Sequence, residues 1–516
     1  MYPARNIHHT IPTSSMNSRF ALVCLLPLLA VVLALYHLES ARSGVNISTQ
    51  YVEQTPVTRY AKPNTDAPIV IVAHGFAGSR QIMQAYSLTL AQAGYEVLAF
   101  DFEGHGRHPV PMSGDVTSID GTTRLLVLQT RALIAAARDM NNATNGIALL
   151  GHSMATDVLL RAAIDETESG NEVSTLVGIS MFSEAITATI PPSLLIVNGQ
   201  WETRLRKPAL AQLHLIDPHA AEGETVRADG VIRRVAVAPY MEHVGVLYSV
   251  AALGESLSWL DNTFDRSSDV QPVRIGGWIL VLLLGIVLLF RPLLIALPNV
   301  HQPLSELPAR RFWIAVLVPA ALTPLLALLP EIDLLPVLVA DYLLLHLGVY
   351  GVLQLLLLRS TVAEHVGEFK RGALGHTLIG AFVLCFWGIV VFGAALDRYA
   401  ASFLPSSGRL TIVMALSISA VVFMLADGIV TGSGQGRIAR RVFARIALMV
   451  SLAAAALIDP DRLIFLVLIL PVLLLFYLVY GLMGRWVSQR LGVVGASLGL
   501  GLCLAWALGV SFPLFV

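Results

Sequence analysis

Charge is scarce in this 516-residue chain: Asp, Glu, Lys and Arg make up 13% of it, about half the share of an ordinary soluble protein. Cysteine is scarcer still. Cys24, Cys385 and Cys503 all sit in apolar runs, which excludes a disulfide framework for the polar part of the chain and leaves the redox compartment unspecified. The formal net charge of −1 gives no basic surface for nucleic acid, so nucleic acid is not an expected partner. What is abundant is apolar sequence: 55% of residues are hydrophobic and the mean hydropathy is +0.69.

That average hides two unlike halves. Residues 38–273 carry charges throughout, whereas residues 275–516 are long runs of Leu, Val, Ala, Gly and Ile. The length suits one soluble domain plus one membrane domain. Near the start, Phe20–Tyr36 is an unbroken apolar run preceded by Arg5 and Arg19. The segment His37-Leu38-Glu39-Ser40-Ala41 is a poor cleavage site, so a signal anchor is expected over a cleaved leader, with Met16 as an alternative start. In the C-terminal half about eight stretches have bilayer-crossing length: 275–297, 312–330, 334–358, 372–396, 410–430, 442–458, 463–483 and 491–515. The expected partition is a short cytoplasmic N-terminus (1–19), an anchor (20–37), a soluble domain (38–273) and a polytopic membrane domain (274–516).

Basic residues decide the expected orientation, because Lys and Arg accumulate in short cytoplasmic loops. With the N-terminus inside, the inner loops hold Arg291, Arg310, Arg311, Arg359, Lys370, Arg371, Arg437, Arg440, Arg441, Arg485 and Arg490. The outer loops hold only Arg398, Arg409 and Arg462, beside Glu331, Asp333, Asp397, Asp459 and Asp461. The soluble domain then falls on the extracytoplasmic side, which in a bacterium means an inner-membrane protein facing outward. Asp341, His346 and Gln354 are polar residues within one expected span. Asp341 and His346 stand about 140° apart on a helix, which favours polar packing over a shared relay.

Within the soluble domain, Pro68–Ala73 reads as a buried strand running into His74-Gly75-Phe76-Ala77-Gly78-Ser79, a Gly-rich turn of the kind that presents backbone N–H groups at the end of a parallel sheet. Gly94–Phe100 is a second strand, ending in Asp101-Phe102-Glu103-Gly104-His105-Gly106. After a helix around 121–140, Gly146–Leu150 leads into Gly151-His152-Ser153-Met154-Ala155 and a helical pattern from Val158 to Ile164. A Ser in a sharp strand-to-helix turn, flanked by small residues, is an exposed nucleophile. Ala155 stands where the pattern usually has Gly.

On these residues the segment from about Pro68 to Leu260 resembles the α/β-hydrolase superfamily, and the expected architecture is an α/β domain, a mostly parallel sheet flanked by helices, joined to an all-α transmembrane bundle. The resemblance implies the chain order Ser, acid, His. Ser153 is the implied nucleophile. Glu202, after the strand Ser193–Gly199, is the implied acid, ahead of Glu184. His243, after the strand Val231–Val237, is the implied base, ahead of His214 and His219. The backbone N–H groups of Phe76 and Met154 would hold the oxyanion, with His74, Gly75, Gly151 and Ala155 shaping the turns. No metal site is expected from His74, His105 and His152, since no ligand spacing accompanies them, and no cofactor is expected.

Only about a dozen residues separate Ser180 from Ser193, too few for a cap domain, so an open pocket is expected. The implied function is a membrane-bound extracytoplasmic serine hydrolase acting on an ester or related acyl bond of a lipid, envelope component or small molecule, with the lipid bilayer as its other partner. The alternative from another class is a transport or signalling protein that uses a hydrolase-like domain as a sensor. Because every catalytic candidate precedes the first C-terminal span, residues 38–273 alone are expected to turn over a short-chain ester.

Overall fold

The computed structural model describes residues 13–63, 67–115, 118–140, 145–300, 306–330, 334–337, 339–361, 373–432 and 436–515. Arg5, Glu331, Asp333, Lys370 and Arg371, used above to orient the chain, lie outside the described residues.

One nine-stranded sheet organises the polar half, in the order β1-β2-β4-β3-β5-β6-β7-β9-β8. Its central strands, β3 (Ile69–Ala73), β4 (Glu96–Phe100), β5 (Ile147–His152), β6 (Thr175–Ile179) and β7 (Ser193–Gly199), are buried almost throughout. They pair in parallel, which explains why each reads as a continuous apolar run instead of alternating. β9 (Val231–Ala238) continues the parallel set beside β7. The antiparallel members are at the edges: β1 (Asn46–Val52) and β2 (Thr55–Ala61) on one side, and β8 (Thr225–Ala228) on the other. The Asp229-Gly230 turn closes the β8–β9 hairpin with both residues at positive φ, 48° and 81°, as such turns require.

Helices cover both faces. On one face, α3 (Arg124–Arg138) and α4 (Met154–Glu168) pack on Ile69, Ile71, Leu98, Phe100 and Leu149. The opposite side chains of the same strands, Val70, Val72, Val97 and Leu150, pack on α2 (Gln84–Gln92) and α6 (Val250–Thr263). A further helix, α5 (Thr203–His214), follows β7.

Nine helices among the described residues are long and apolar enough to cross a membrane. One is near the N-terminus, within α1 (Thr13–Arg42). It continues past the expected end at residue 37, so its last turns stand beside the sheet domain, where Ala34 and Leu38 are buried. The other eight are α7 (Gly276–Leu294), α8 (Ala309–Leu326), α9 (Ala340–Leu357), α10 (Leu374–Tyr399), α11 (Ser407–Val430), α12 (Ile438–Ile458), α13 (Pro460–Leu491) and α14 (Val493–Ser511). α14 is central: 72% of its most apolar window is buried, against 17% for α1. The polar residues of α9 serve packing. His346 lies 3.1 Å from the Tyr342 hydroxyl and 3.2 Å from Ser451 Oγ, and Gln354 donates to the Ala315 carbonyl. Asp341 accepts from the Leu334 and Leu335 amides.

Sheet domain and bundle share one apolar core. The cluster containing Val70 and Val72 runs without a break through α2 and α6 into Ile279, Leu282 and the helices beyond. Polar ties reinforce it. Gln84 accepts from Arg42 and donates to the Arg398 carbonyl, both at 2.7 Å, while Arg398 pairs with Glu39 at 2.8 Å. The chain's last turn crosses over as well: Leu514 N donates to Gly104 O (2.8 Å), Met112 N donates to Leu514 O (2.7 Å), and Phe515 is buried with Phe102 and Met112. Arg409, 2% exposed, completes this junction by donating to Gly104 O and to the carbonyls of Gly509 and Phe512.

Candidate active site

Ser153 occupies the turn between β5 and α4 with φ 53° and ψ −118°, a left-handed conformation that a non-Gly residue holds at a cost of about 1–3 kcal/mol. The neighbours fix it there. Ser153 N donates to Ile179 O on β6 (2.9 Å), and Ser153 O accepts from both the backbone N–H and the hydroxyl of Thr156. Small residues are needed for the crossing: a Cβ on Gly151 would stand 2.7 Å from Leu159 and 3.1 Å from Ala155. With Gly at 151, the methyl of Ala155 fits fully buried. Gly75 plays the matching part on the other turn, where a Cβ would meet His152 at 3.0 Å and Ser153 at 3.1 Å.

From Ser153 a single hydrogen-bonded line runs through His243 to Glu202. Ser153 Oγ lies 2.9 Å from His243 Nε2, and His243 Nδ1 lies 2.6 Å from Glu202 Oε1. The second carboxylate oxygen accepts from the Ser180 hydroxyl (2.8 Å) and the Gly199 amide (2.6 Å). Burial would raise the Glu202 pKa, but the hydrogen bonds from His243, Gly199 and Ser180 outweigh it and hold the carboxyl below its ordinary value. Glu202 is therefore an anion aimed at His243. Glu184, the other candidate acid, is exposed on the loop after β6. His214 sits at the end of α5, 3.0 Å from Ala220 O, and the His219 amide donates to Asp217; neither takes part in the line.

Three positioning groups carry no signal of their own in the sequence. Ser180 reaches Glu202 because β6 and β7 lie side by side in register, and Gly199 reaches it within the turn that follows β7. His152 spans the site: its Nε2 donates to the His243 carbonyl (2.9 Å) and its ring lies 4.8 Å from that of His243. Burial, with the neighbouring His243, lowers the His152 pKa to about 4, so its imidazole is neutral and can hold the base loop against the Ser153 turn.

The Phe76 turn is braced from below. His74, fully buried, donates from Nδ1 to Gly75 O (2.7 Å) and accepts at Nε2 from Phe102 N (3.2 Å). Asp101 accepts from Arg80 N (2.8 Å) and the Arg80 guanidinium (2.5 Å). Ala77 turns the chain with φ 56°. Met154 opens α4, so its N–H has no carbonyl within the helix to serve. Among the described residues no three His, Cys, Asp or Glu side chains gather as metal ligands.

The short Ser180–Ser193 connection does lack a cap domain, yet the site has a neighbour that the sequence reading did not anticipate. The tight turn of α13 at Ile464–Leu468 brings the Phe465 ring to 5.5 Å from Phe76, whose other side meets His105 at 5.6 Å. The bundle thus stands against the Phe76 turn.

A strained serine between strand and helix, under a parallel sheet whose later loops supply an acid and a histidine, defines a serine hydrolase of the α/β-hydrolase fold, here joined to helices of membrane-spanning length. Residues 64–238, about a third of the chain, match the family described as serine aminopeptidase, S33. No curated protein matches the chain in sequence. Similar solved structures include dienelactone hydrolase from Anabaena variabilis (15% identity, TM-score 0.33, covering 42% of this chain and 97% of that one). A bacterial heroin esterase is similar at 12% identity and TM-score 0.33, over 44% of this chain and 86% of the other. A membrane phospholipase A described as a bacterial virulence factor is similar at 13% identity and TM-score 0.32, over 48% and 96%.

Proposed function

We propose that the chain is an integral membrane hydrolase that cleaves an ester or related acyl bond with Ser153 as nucleophile, His243 as general base and acid, and Glu202 as the carboxylate that orients the imidazole. The observation that carries this reading is the unbroken line Ser153 Oγ, His243, Glu202. Ser153 Oγ attacks the substrate carbonyl carbon as its proton passes to His243 Nε2, and Glu202 stabilises the imidazolium that forms. The oxyanion takes hydrogen bonds from the Phe76 and Met154 amides, each worth about 2.7–4 kcal/mol in comparable sites. His243 then protonates the leaving group as the carbon–heteroatom bond breaks. Water, deprotonated by His243, releases the acyl group from Ser153 in a second round of the same steps.

Exposed apolar side chains surround these groups on the same loops: Phe182 after β6, Trp201 after β7, Tyr240 and Val244 after β9. They favour a substrate with an apolar part. The distribution of Lys and Arg places the sheet domain outside the cytoplasm, and in a bacterium that means the outer face of the inner membrane. Residues 38–273 form the hydrolase domain and 274–516 the membrane domain in this reading.

The test is labelling of membranes with a fluorophosphonate probe, which reacts with an activated serine whatever the natural substrate. Wild-type protein is expected to label, and Ser153→Ala and His243→Ala to lose labelling while remaining in the membrane. Equal labelling of Ser153→Ala overturns the mechanism. A wild-type protein that never labels favours the sensor or transport alternative.

A further inference from the structure

Between α11, α12, α13 and α14, far along the bundle from Ser153, two arginines share a pocket with one carboxylate. Arg445 and Arg485 line a small pocket together with Asp427 and Ser488. Asp427 is 6% exposed, and its carboxylate is 4.0 Å from Arg445. Two cations against one anion leave an excess of positive charge in a pocket between apolar helices, an arrangement that is costly unless something else balances it.

The hydrogen-bond inventory points the same way. Among the described residues the Nε atoms of Arg441, Arg445 and Arg485, the Ser488 Oγ and the Tyr477 hydroxyl are all buried without a partner. Ser488 is 1% exposed and Tyr477 8%, and the Arg445 guanidinium lies 4.4 Å over the Tyr477 ring. Buried donors that go unmatched each cost about 1–3 kcal/mol, and three of these, the Nε atoms of Arg445 and Arg485 and the Ser488 hydroxyl, belong to residues that line the pocket. Neighbouring arginines are not in this condition: Arg440 donates to Leu307 O, Arg437 pairs with Glu306, and Arg490 donates to Leu297 O.

From these observations we infer that the pocket is a binding site for a phosphate-bearing anion, held by Arg445 and Arg485 with the Ser488 hydroxyl. A phosphate group offers several acceptor oxygens and matches the planar fork of guanidinium. The position selects its surroundings. Phe465, beside the hydrolase site, and Arg485 are on the same helix, α13. Twenty residues of helix separate them, about 30 Å at 1.5 Å per residue, which is the thickness of a bilayer's apolar core. The arginine pocket therefore lies at the opposite membrane face from Ser153, on the side rich in Lys and Arg, where anionic headgroups are drawn to basic pockets between helices. The phosphate comes either from such a headgroup or from solution.

The experiment uses the purified full-length chain in neutral detergent. Native mass spectrometry measures retention of phosphatidylglycerol against phosphatidylcholine, and thermal unfolding is followed with and without millimolar inorganic phosphate. Preferential retention of phosphatidylglycerol identifies a headgroup site. A rise in unfolding temperature with inorganic phosphate and no lipid preference identifies a soluble anion. In either case Arg485→Gln and Ser488→Ala are expected to weaken binding by on the order of tenfold, the loss of one strong hydrogen bond. Gel filtration shows whether each variant is folded, and Ser488→Ala, which removes a single oxygen, decides if Arg485→Gln is not. Wild-type protein that neither prefers phosphatidylglycerol nor responds to phosphate, or folded variants that bind as wild type does, overturns the assignment.

Discussion

Phe515 is the sharpest test of whether the bundle takes part in forming the hydrolase site. Its side chain is 4% exposed and packs with Phe102 and Met112 of the sheet domain, although it follows the last membrane helix. From there the path to the Phe76 turn, the proposed oxyanion site, is short. Phe102 precedes the Glu103-Gly104-His105 turn, Gly104 O accepts from Leu514 N and Arg409, and His105 holds the Phe76 ring edge-on. Replacing a buried Phe with Ala costs about 3–5 kcal/mol. At the lower end, about 3 kcal/mol, the equilibrium for docking this segment falls by roughly two orders of magnitude. For a unit of this size that corresponds to a fall of roughly 6–12 °C in the temperature at which activity is lost. The assay is the rate of fluorophosphonate labelling of Ser153 in membranes across a temperature series, with Phe515→Leu as the conservative control. Phe515→Ala is expected to label slowly and to lose labelling at lower temperature, and Phe515→Leu to recover most of the loss. If Phe515→Ala labels at the wild-type rate throughout the series, the tail is a passive contact and the coupling argued here is wrong.

The remaining predictions follow from the same geometry. The isolated 38–273 segment, which sequence alone led us to expect to be active, is now expected to lose most ester turnover, because it lacks Phe465, Arg409 and the Leu514–Phe515 tail; full turnover of p-nitrophenyl acetate by the fragment would refute this. Glu202→Gln is expected to abolish most labelling while Glu184→Gln leaves it near wild type, and the reverse result moves the acid to the β6 loop. His152 adds a pH term to stability: its folded pKa is about 4 against an ordinary 6.5, so between those values the unfolded chain binds the proton and the folded chain does not. Stability is then complete above pH 6.5 and falls towards pH 4 by roughly 3 kcal/mol; His152→Gln, measured by the pH dependence of thermal unfolding, is expected to flatten that slope. Cysteine introduced at exposed Ser267 is expected to react with an impermeant maleimide in intact spheroplasts and cysteine at Gln489 only after lysis, and the opposite pattern inverts the topology.

Much of the sheet was legible because a parallel strand buried on both faces is written as an unbroken apolar run, as in Ile69–Ala73 and Ser193–Gly199. The edge strands β1, β2 and β8 were not read, since each has a polar or short sequence that takes strand form only beside its neighbour. Ser153, His243 and Glu202 could be proposed from chain order, whereas the part of Ser180 could not. Its contact with Glu202 depends on which strands are adjacent, a property of the whole sheet and of no local segment. The junction with the bundle was hidden for the same reason.

Arg409 shows how far this goes. In the sequence it is one of three basic residues expected in the outer loops. In the folded chain it is almost fully buried, and its guanidinium joins the carbonyl of Gly104 to those of Gly509 and Phe512. A guanidinium remains charged wherever it is placed, so burying it commits the chain to supplying acceptors from both parts at once. Arg409 belongs to α11, and without the sheet domain its guanidinium loses Gly104 O and the cover that buries it, a loss that costs more for a buried charge than for a surface ion pair. Arg409 is therefore a buried polar tie between the helices and the sheet domain. No cap domain follows β6, and the element that stands beside the Phe76 turn is the bundle, through Phe465, with the Arg409 junction tying the two together.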